Sequence, residues 1–252
     1  PPYPLLEKWV FIVSTLFVCP IKCQICDAGN HYSGKLSAQE IFDQIDYMVD
    51  RRFPDRVIPV KKFKIQYARM GEPTFNPALI EVLEQMPHRY DAPGFLPSIS
   101  PIGPKAVEKF ISRRFEVMEK YYRGKFQMQF SIHTTDTKLR DQLIPCKKID
   151  FSEIAALGTS FFKPGDRKIT LNFALTKGAP LDPQVLLQFF NPEIFLVKIT
   201  PVNPTHTMEK YGLTSHFDPL KYQIDDEIIE GVKQAGYDVI LSVGEAEENK
   251  IG

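Results

Sequence analysis

The sequence carries no net charge: 31 Lys and Arg balance 31 Asp and Glu over 252 residues. Without a strong global field to gather polyanions, a large nucleic-acid footprint is disfavoured, although a local basic patch is not excluded. Cysteine is scarce. There are four, three of them packed together, which is not the pattern of a secreted disulfide framework, and a reducing cytoplasm is the natural setting. No apolar run approaches the length of a membrane span and no signal-peptide pattern is present, so no membrane partner is expected. What the chain does have is 43% hydrophobic and 25% charged residues, enough to bury the core of one α/β domain of barrel size. That single domain takes in residues 1–252, with its core from about 9 to 243. It reads as a monomer, and the bare Pro1-Pro2 start and the Lys250-Ile251-Gly252 finish read as trimmed ends.

Strand and helix signals alternate along the chain. Trp9 to Leu16 is apolar and β-branched and predicts a buried strand. Ser37-Ala-Gln-Glu40 is a capping box that opens a helix carrying Ile41, Phe42, Ile45, Met48 and Val49 on one face. Lys61 to Arg69 alternates, with Phe63, Ile65 and Tyr67 opposite Lys64, Gln66 and Ala68. Asn76-Pro77 starts a helix that Pro87 should stop. Phe95 to Ser100 predicts a third strand, Pro104 to Tyr122 a long helix and Phe126 to His133 a fourth strand. In that strand Gln127, Gln129, Ser131 and His133 face away from Phe126, Met128, Phe130 and Ile132, a polar inner surface suited to a lumen. Further strands are expected at Lys168–Leu175, Ile194–Thr200 and Tyr237–Ser242, with helices at Phe151–Phe162, Pro183–Phe190 and Asp225–Ala235, the last closed by Gly236. Such alternation means parallel crossovers. Six or seven units fall short of a closed eightfold barrel, so the fold class is α/β, a partial TIM barrel of (β/α)6 type. Ligands of such folds sit at the C-terminal ends of the strands.

The loop after the first strand holds Cys19-Pro-Ile-Lys-Cys23-Gln-Ile-Cys26, three thiols in eight residues. Structural zinc is almost always four-coordinate, which would require His31 or Cys146 to complete the set. A 4Fe-4S cube held by three thiolates instead keeps one iron open. Plain buried thiols are the third reading. The loop after the second strand is Met70-Gly71-Glu72-Pro73, where glycine permits close backbone approach and the carboxylate can pair with an ammonium, or simply face solvent in a turn. Later strands end in Ser98-Ile99-Ser100, Ser131-Ile132-His133 and Pro201-Val202-Asn203-Pro204. Their hydroxyl, imidazole and amide groups either bind a ligand or serve as turn formers and a satisfied core histidine.

Cys19, Cys23 and Cys26 at this spacing resemble the cluster motif of radical S-adenosylmethionine (radical SAM) enzymes. Arg69-Met-Gly-Glu-Pro-Thr-Phe-Asn76, Ser131-Ile-His133, Leu139-Arg-Asp-Gln-Leu-Ile-Pro145 and Thr200-Pro-Val-Asn-Pro204 recur in the same order in the RlmN and Cfr type of RNA adenine methyltransferase. The resemblance runs from about Trp9 to Val243. It implies a radical SAM core in which the three cysteines hold a 4Fe-4S cluster while Gly71, Glu72, Ser100, Ser131, His133 and Asn203 bind S-adenosylmethionine, with Ser98 an equally good match for Ser100. It also implies one-electron cleavage to a 5'-deoxyadenosyl radical, a flavodoxin or ferredoxin as electron donor, and methylation of an amidine carbon of adenine in RNA through a methyl-carrying cysteine. A non-polar route is needed because an amidine carbon is a poor nucleophile.

The sequence departs from that pattern at informative places. Ile12 stands where the family has its second cysteine, no cysteine follows Cys146, and the methyl carrier and the catalytic glutamate would be expected beyond the two ends. Cys146 is the spare thiol, either a buried free cysteine or a substitute carrier. Two other functions therefore stay open, direct hydrogen abstraction from a small molecule or peptide and a non-catalytic metal-binding module. Basic residues cluster at Arg51, Arg52, Arg56, Lys61, Lys62 and Lys64, and at Lys105, Lys109, Arg113 and Arg114. Each cluster is either a solvated face or an RNA contact.

Overall fold

The computed structural model describes residues 3–29, 31–105, 116–218 and 226–242. Seven strands, β1 (Lys8–Val13), β2 (Lys62–Tyr67), β3 (Phe95–Ile99), β4 (Gln127–Ser131), β5 (Ile169–Ala174), β6 (Phe195–Thr200) and β7 (Val239–Leu241), lie in sequence order in one sheet. Every adjacent pair is parallel. Each connection must therefore travel back along the sheet, and helices at Ala38–Asp50, Ala78–Arg89, 116–121, Phe151–Phe161, Pro183–Phe189 and Glu227–Gln234 occupy the crossovers. The result is a curled half-barrel, the partial TIM barrel expected from the alternation. Strands β1 and β7 form its two edges and do not pair with each other.

The pleat sorts the strand residues. Phe63, Ile65 and Tyr67 of β2 are wholly buried in the main core, together with Ile169, Leu171 and Phe173 of β5 and Phe195, Val197 and Ile199 of β6. The alternate positions face the lumen. The capping box forms as written: the Ser37 hydroxyl accepts from Glu40 N–H while the Glu40 carboxylate accepts from Ser37 N–H. A second box, Asp150 with Glu153, opens the helix Phe151–Phe161.

Four expectations are corrected. β1 stops at Val13 and is buried on one face only, leaving Val10 and Ile12 exposed at the open edge of the half-barrel. Pro104 is not helical, because it bridges Lys148 in antiparallel fashion and Lys105 N–H bonds to Lys147. The rest of that predicted helix lies partly outside the described residues, with 116–121 helical. The helix predicted from Asp225 begins at Glu227, capped by the Asp226 carboxylate on Ile228 N–H, and Asp225 lies outside the described residues. Lastly, Pro87 does not end its helix, which continues to Arg89.

Proline inside a helix deprives the carbonyl four residues back of its donor. For Pro87 that carbonyl belongs to Leu83, and the buried Tyr122 hydroxyl donates to it instead. The substitution Tyr122→Phe should leave the Leu83 carbonyl unsatisfied and lower stability by about 1–3 kcal/mol. The double variant P87A/Y122F, which restores a backbone donor, should recover most of that loss. Urea unfolding midpoints at constant slope check both outcomes.

Candidate functional site

The C-terminal ends of the strands are joined by a chain of hydrogen bonds. Thr15 and Leu16, after β1, donate to the Met70 carbonyl after β2 at 3.0 and 3.1 Å. Next along, Glu72 Oε2 accepts from Ile102 N–H, in the loop after β3, at 3.0 Å. Ser131 N–H reaches Pro101 at 2.9 Å, Ala174 N–H reaches His133 Nδ1 at 3.1 Å, and Leu175 N–H reaches Thr200 at 3.2 Å. The chain then closes back on the first loop. Asp27, directly after Cys26, accepts from His206 N–H at 2.9 Å and from the Thr207 N–H and hydroxyl at 2.8 and 2.6 Å. Desolvation works against ionisation of Asp27, but these donors prevail and hold its carboxyl below the usual value. Nothing in the sequence around Asp27 announces this role.

The cysteine loop folds tightly on itself. Cys19 N–H bonds to Ala28 at 2.8 Å, Cys26 N–H to Cys23 at 3.2 Å, and Lys22 adopts φ 59°. Gly29 passes so close to Lys22 that a Cβ there would lie 2.5 Å from the Lys22 Cα. Burial raises all three thiols. Cys19 is offset by N–H groups of Ile21 and Glu72, Cys26 by the Ala28 N–H and the Arg69 charge, and Cys23 is raised furthest, with Cys26, Cys19 and Cys146 adding to the effect. The three sulfurs are thus electrostatic neighbours. Cys146 packs with Cys19, Cys23 and Ile21 in a small apolar cluster, and its own thiol is raised by burial. His31, the other residue considered for completing a zinc site, is exposed. Among the described residues no group of three or more His, Cys, Asp or Glu side chains is gathered so as to hold a single metal ion.

The Gly-Glu loop abuts this trio. Gly71 has φ 103° and meets Leu16 so closely that a Cβ would sit 2.4 Å from its Cγ, so no other residue fits without displacement. The buried Glu72 side chain caps the short turn Pro73–Phe75, and Phe75 packs against the same small apolar cluster as Cys19. Asn76 braces both loops, its amide donating to Thr15 and Leu36 carbonyls at 2.7 Å each.

The two serines of β3 separate. Ser98 is wholly buried and accepts from Gln129 Nε2 at 2.8 Å, whereas Ser100 lies half-buried at the strand end. Ser131 is buried, and Asn203 is half-buried in the loop after β6. His133 is buried with φ 67°, and since its Nδ1 accepts the Ala174 N–H, the imidazole proton resides on Nε2. Burial, and then the Arg140 charge, lower its pKa to about 3.

The basic clusters do not form one surface. Arg56 pairs with Asp50 at 3.0 Å and Asp46 at 3.6 Å, and Lys105 with Glu153 at 3.4 Å. Lys62 and Lys64 turn inward on β2, and Lys109, Arg113 and Arg114 lie outside the described residues.

A histidine neutral when folded and protonated when unfolded makes the unfolded state bind the extra proton below pH 6.5. Stability should therefore fall as pH drops from about 6.5 toward 3, at roughly 1 kcal/mol per pH unit from this residue. His133→Asn, which tolerates the left-handed backbone, should flatten that part of the profile in denaturant melts run at a series of pH values.

No family model matches the chain. It is 28% identical over 207 residues to the dual-specificity RNA methyltransferase RlmN of Helicobacter hepaticus, covering 79% of this chain and 53% of that protein. To the ribosomal RNA large subunit methyltransferase N of Nitrosopumilus maritimus it is 25% identical over 205 residues, 77% and 54% of the two chains. The chain thus spans about half the length of the curated relatives it matches. In fold it is similar to a radical SAM methyltransferase from Sphaerobacter thermophilus, with a TM-score of 0.66, 17% identity, and coverage of 95% of this chain and 67% of that one. The chain is accordingly similar in sequence to RlmN-type RNA methyltransferases and shares the partial-barrel fold of a radical SAM methyltransferase.

Proposed function

We propose that this chain is the catalytic core of a radical SAM enzyme of the RlmN kind, holding a 4Fe-4S cluster through Cys19, Cys23 and Cys26 and S-adenosylmethionine across the adjoining strand ends. The observation that carries the reading is the pair of bonds from Thr15 and Leu16 N–H to the Met70 carbonyl, at 3.0 and 3.1 Å, which hold the chain entering the three-thiol loop against the Gly-Glu loop. The donor set fits the group. Three thiols on one self-closed loop, with Cys19 and Cys23 half-buried and Cys26 exposed, are soft sulfur donors that can supply the three protein ligands of such a cluster. Bound there, the cluster and S-adenosylmethionine together would supply a one-electron cleavage that yields a 5'-deoxyadenosyl radical.

The chain's own residues have distinct tasks in this scheme. Glu72, oriented by Thr74 and Ile102, supplies the carboxylate that pairs with the ammonium of the methionine moiety. Gly71, lacking a Cβ, lets this loop pass directly against Leu16. Ser100 and Ser131 offer hydroxyls, and His133 Nε2–H is a fixed donor because its other nitrogen is occupied. Asn203, flanked by prolines, is the group for adenine. The electron comes from a flavodoxin or ferredoxin, and the substrate carbon is an adenine amidine carbon in RNA. Ile12, on the lumen side of β1 at the position where the resemblance calls for a cysteine, favours a second reading, direct hydrogen abstraction from another substrate.

Anaerobic purification of the intact protein should give a brown chain with about four irons per cluster, and 5'-deoxyadenosine under a strong reductant. C19A, C23A and C26A should each abolish both. Glu72→Gln should keep the colour while raising the concentration of S-adenosylmethionine needed for cleavage by at least about ten-fold, the cost of one charge-assisted bond. A colourless zinc protein, or a brown one that leaves the sulfonium intact, overturns the proposal. Intact mass then separates the two readings, since a methylated cysteine belongs to the first and an unmodified chain to the second.

A further inference from the structure

The lumen below the strand ends holds a group of cations that the proposed radical chemistry does not use. Lys62 and Lys64 occupy inward positions of β2, alternating with the fully buried Phe63 and Ile65. Lys198 is an inward position of β6, between Val197 and Ile199, in register with Asn172 of β5. Lys8 lies opposite Lys62 at the start of β1. The sheet that carries β2 and β6 curls into a half-barrel, so these alternate positions of the two strands turn toward the same lumen.

Two independent features mark this as a site with a missing occupant. Lys64 is only 9% exposed, yet neither it, Lys62 nor Lys198 makes an ion pair or side-chain hydrogen bond among the described residues. The acids at the barrel floor are engaged elsewhere, Glu7 with Lys61 at 2.7 Å and Asp238 with Lys168 at 2.8 Å. Beside Lys198, on the inward face of β5, the Thr170 hydroxyl and Asn172 Oδ1 are buried without any hydrogen-bond partner. A buried ammonium without counter-charge and a buried hydroxyl without a partner are both costly, and a single anionic ligand, accepting from the Thr170 hydroxyl, would relieve both. Burial, followed by the charges of Lys198, Lys62, Lys8 and Arg167, lowers the Lys64 ammonium to about 7, and burial lowers Lys62 and Lys198 as well.

We propose that the lower lumen is a phosphate-binding site in which Lys64 and Lys198 grip the oxyanion, Lys62 guards its rim and Thr170 donates a hydrogen bond. Ammonium groups on flexible stems act as point charges that converge on a phosphate from several sides. The phosphate is either free in solution or the esterified end of an organic ligand lying in the lumen. Because the site lies below the cysteine loop, it stands or falls separately from cleavage of the sulfonium.

Calorimetric titration of the intact protein with inorganic phosphate, and in parallel with adenosine 5'-monophosphate, tests this. Saturable one-site binding is expected, weakened at least ten-fold in K64M and in K198M. Tighter binding of the monophosphate ester assigns the group to an organic ligand, and equal binding assigns it to the free ion. In phosphate-free buffer K64M should unfold at a higher temperature than the parent, since it removes an uncompensated buried charge, and it should lose the phosphate-dependent rise in melting temperature. Absence of saturable phosphate binding by the parent chain, or binding unaltered in both variants, overturns the proposal.

Discussion

A half-barrel has no backbone ladder between its first and last strands, so its mouth keeps a shape only if loops from opposite sides are tied together. Here two ties reach across. Gln24 N–H, within the cysteine loop, bonds to the Leu143 carbonyl beyond β4 at 2.9 Å. Asp27 receives three donors from the start of the helix His206–Lys210, 179 and 180 residues away, and so fixes the cysteine loop of β1 against the loop that follows β6. The helix gains an acceptor for two of its unpaired N–H groups, and the loop gains a fixed end. Of the two, the Asp27 tie is the one that reaches the far side of the mouth, where Asn203 lies.

The fold was legible in the sequence wherever one face of a strand is buried. Phe63, Ile65 and Tyr67 declare the register of β2, and Ser37 with Glu40 declares the first helix boundary, because both signals are local. Errors arose where a distant partner decides. Pro87 reads locally as a stop because its effect is to break a helix, yet Tyr122 supplies the missing donor to Leu83, 39 residues away from it. β1 was read as buried on both faces because Val10 and Ile12 are as apolar as Phe11 and Val13, and composition does not reveal that they look onto an open edge.

The site was legible to a similar depth. The three cysteines and the Gly-Glu loop stand out by type and spacing, and the bonds from Thr15 and Leu16 to Met70, with Gly71 packed on Leu16, set the two loops side by side. Asp27 escaped notice because an aspartate after a cysteine has no pattern of its own. The lumen lysines were miscounted for a different reason. Summed as linear charge density, Lys61, Lys62 and Lys64 joined Arg51, Arg52 and Arg56 in one surface patch, but the pleat of β2 sends Lys64 inward while Arg56 pairs with Asp50 outside. Charge read along the chain and charge read around the barrel are different quantities.

The sheet order β1 to β7 follows the chain without a single transposition. Each new strand can therefore dock on the one made just before it, and assembly can keep pace with synthesis as the polypeptide leaves the ribosome. The Asp27 bond is the exception, since Thr207 emerges long after the cysteine loop has taken its place. A nascent chain would thus possess nearly its whole scaffold while its mouth still gaped on the side that Thr207 closes last.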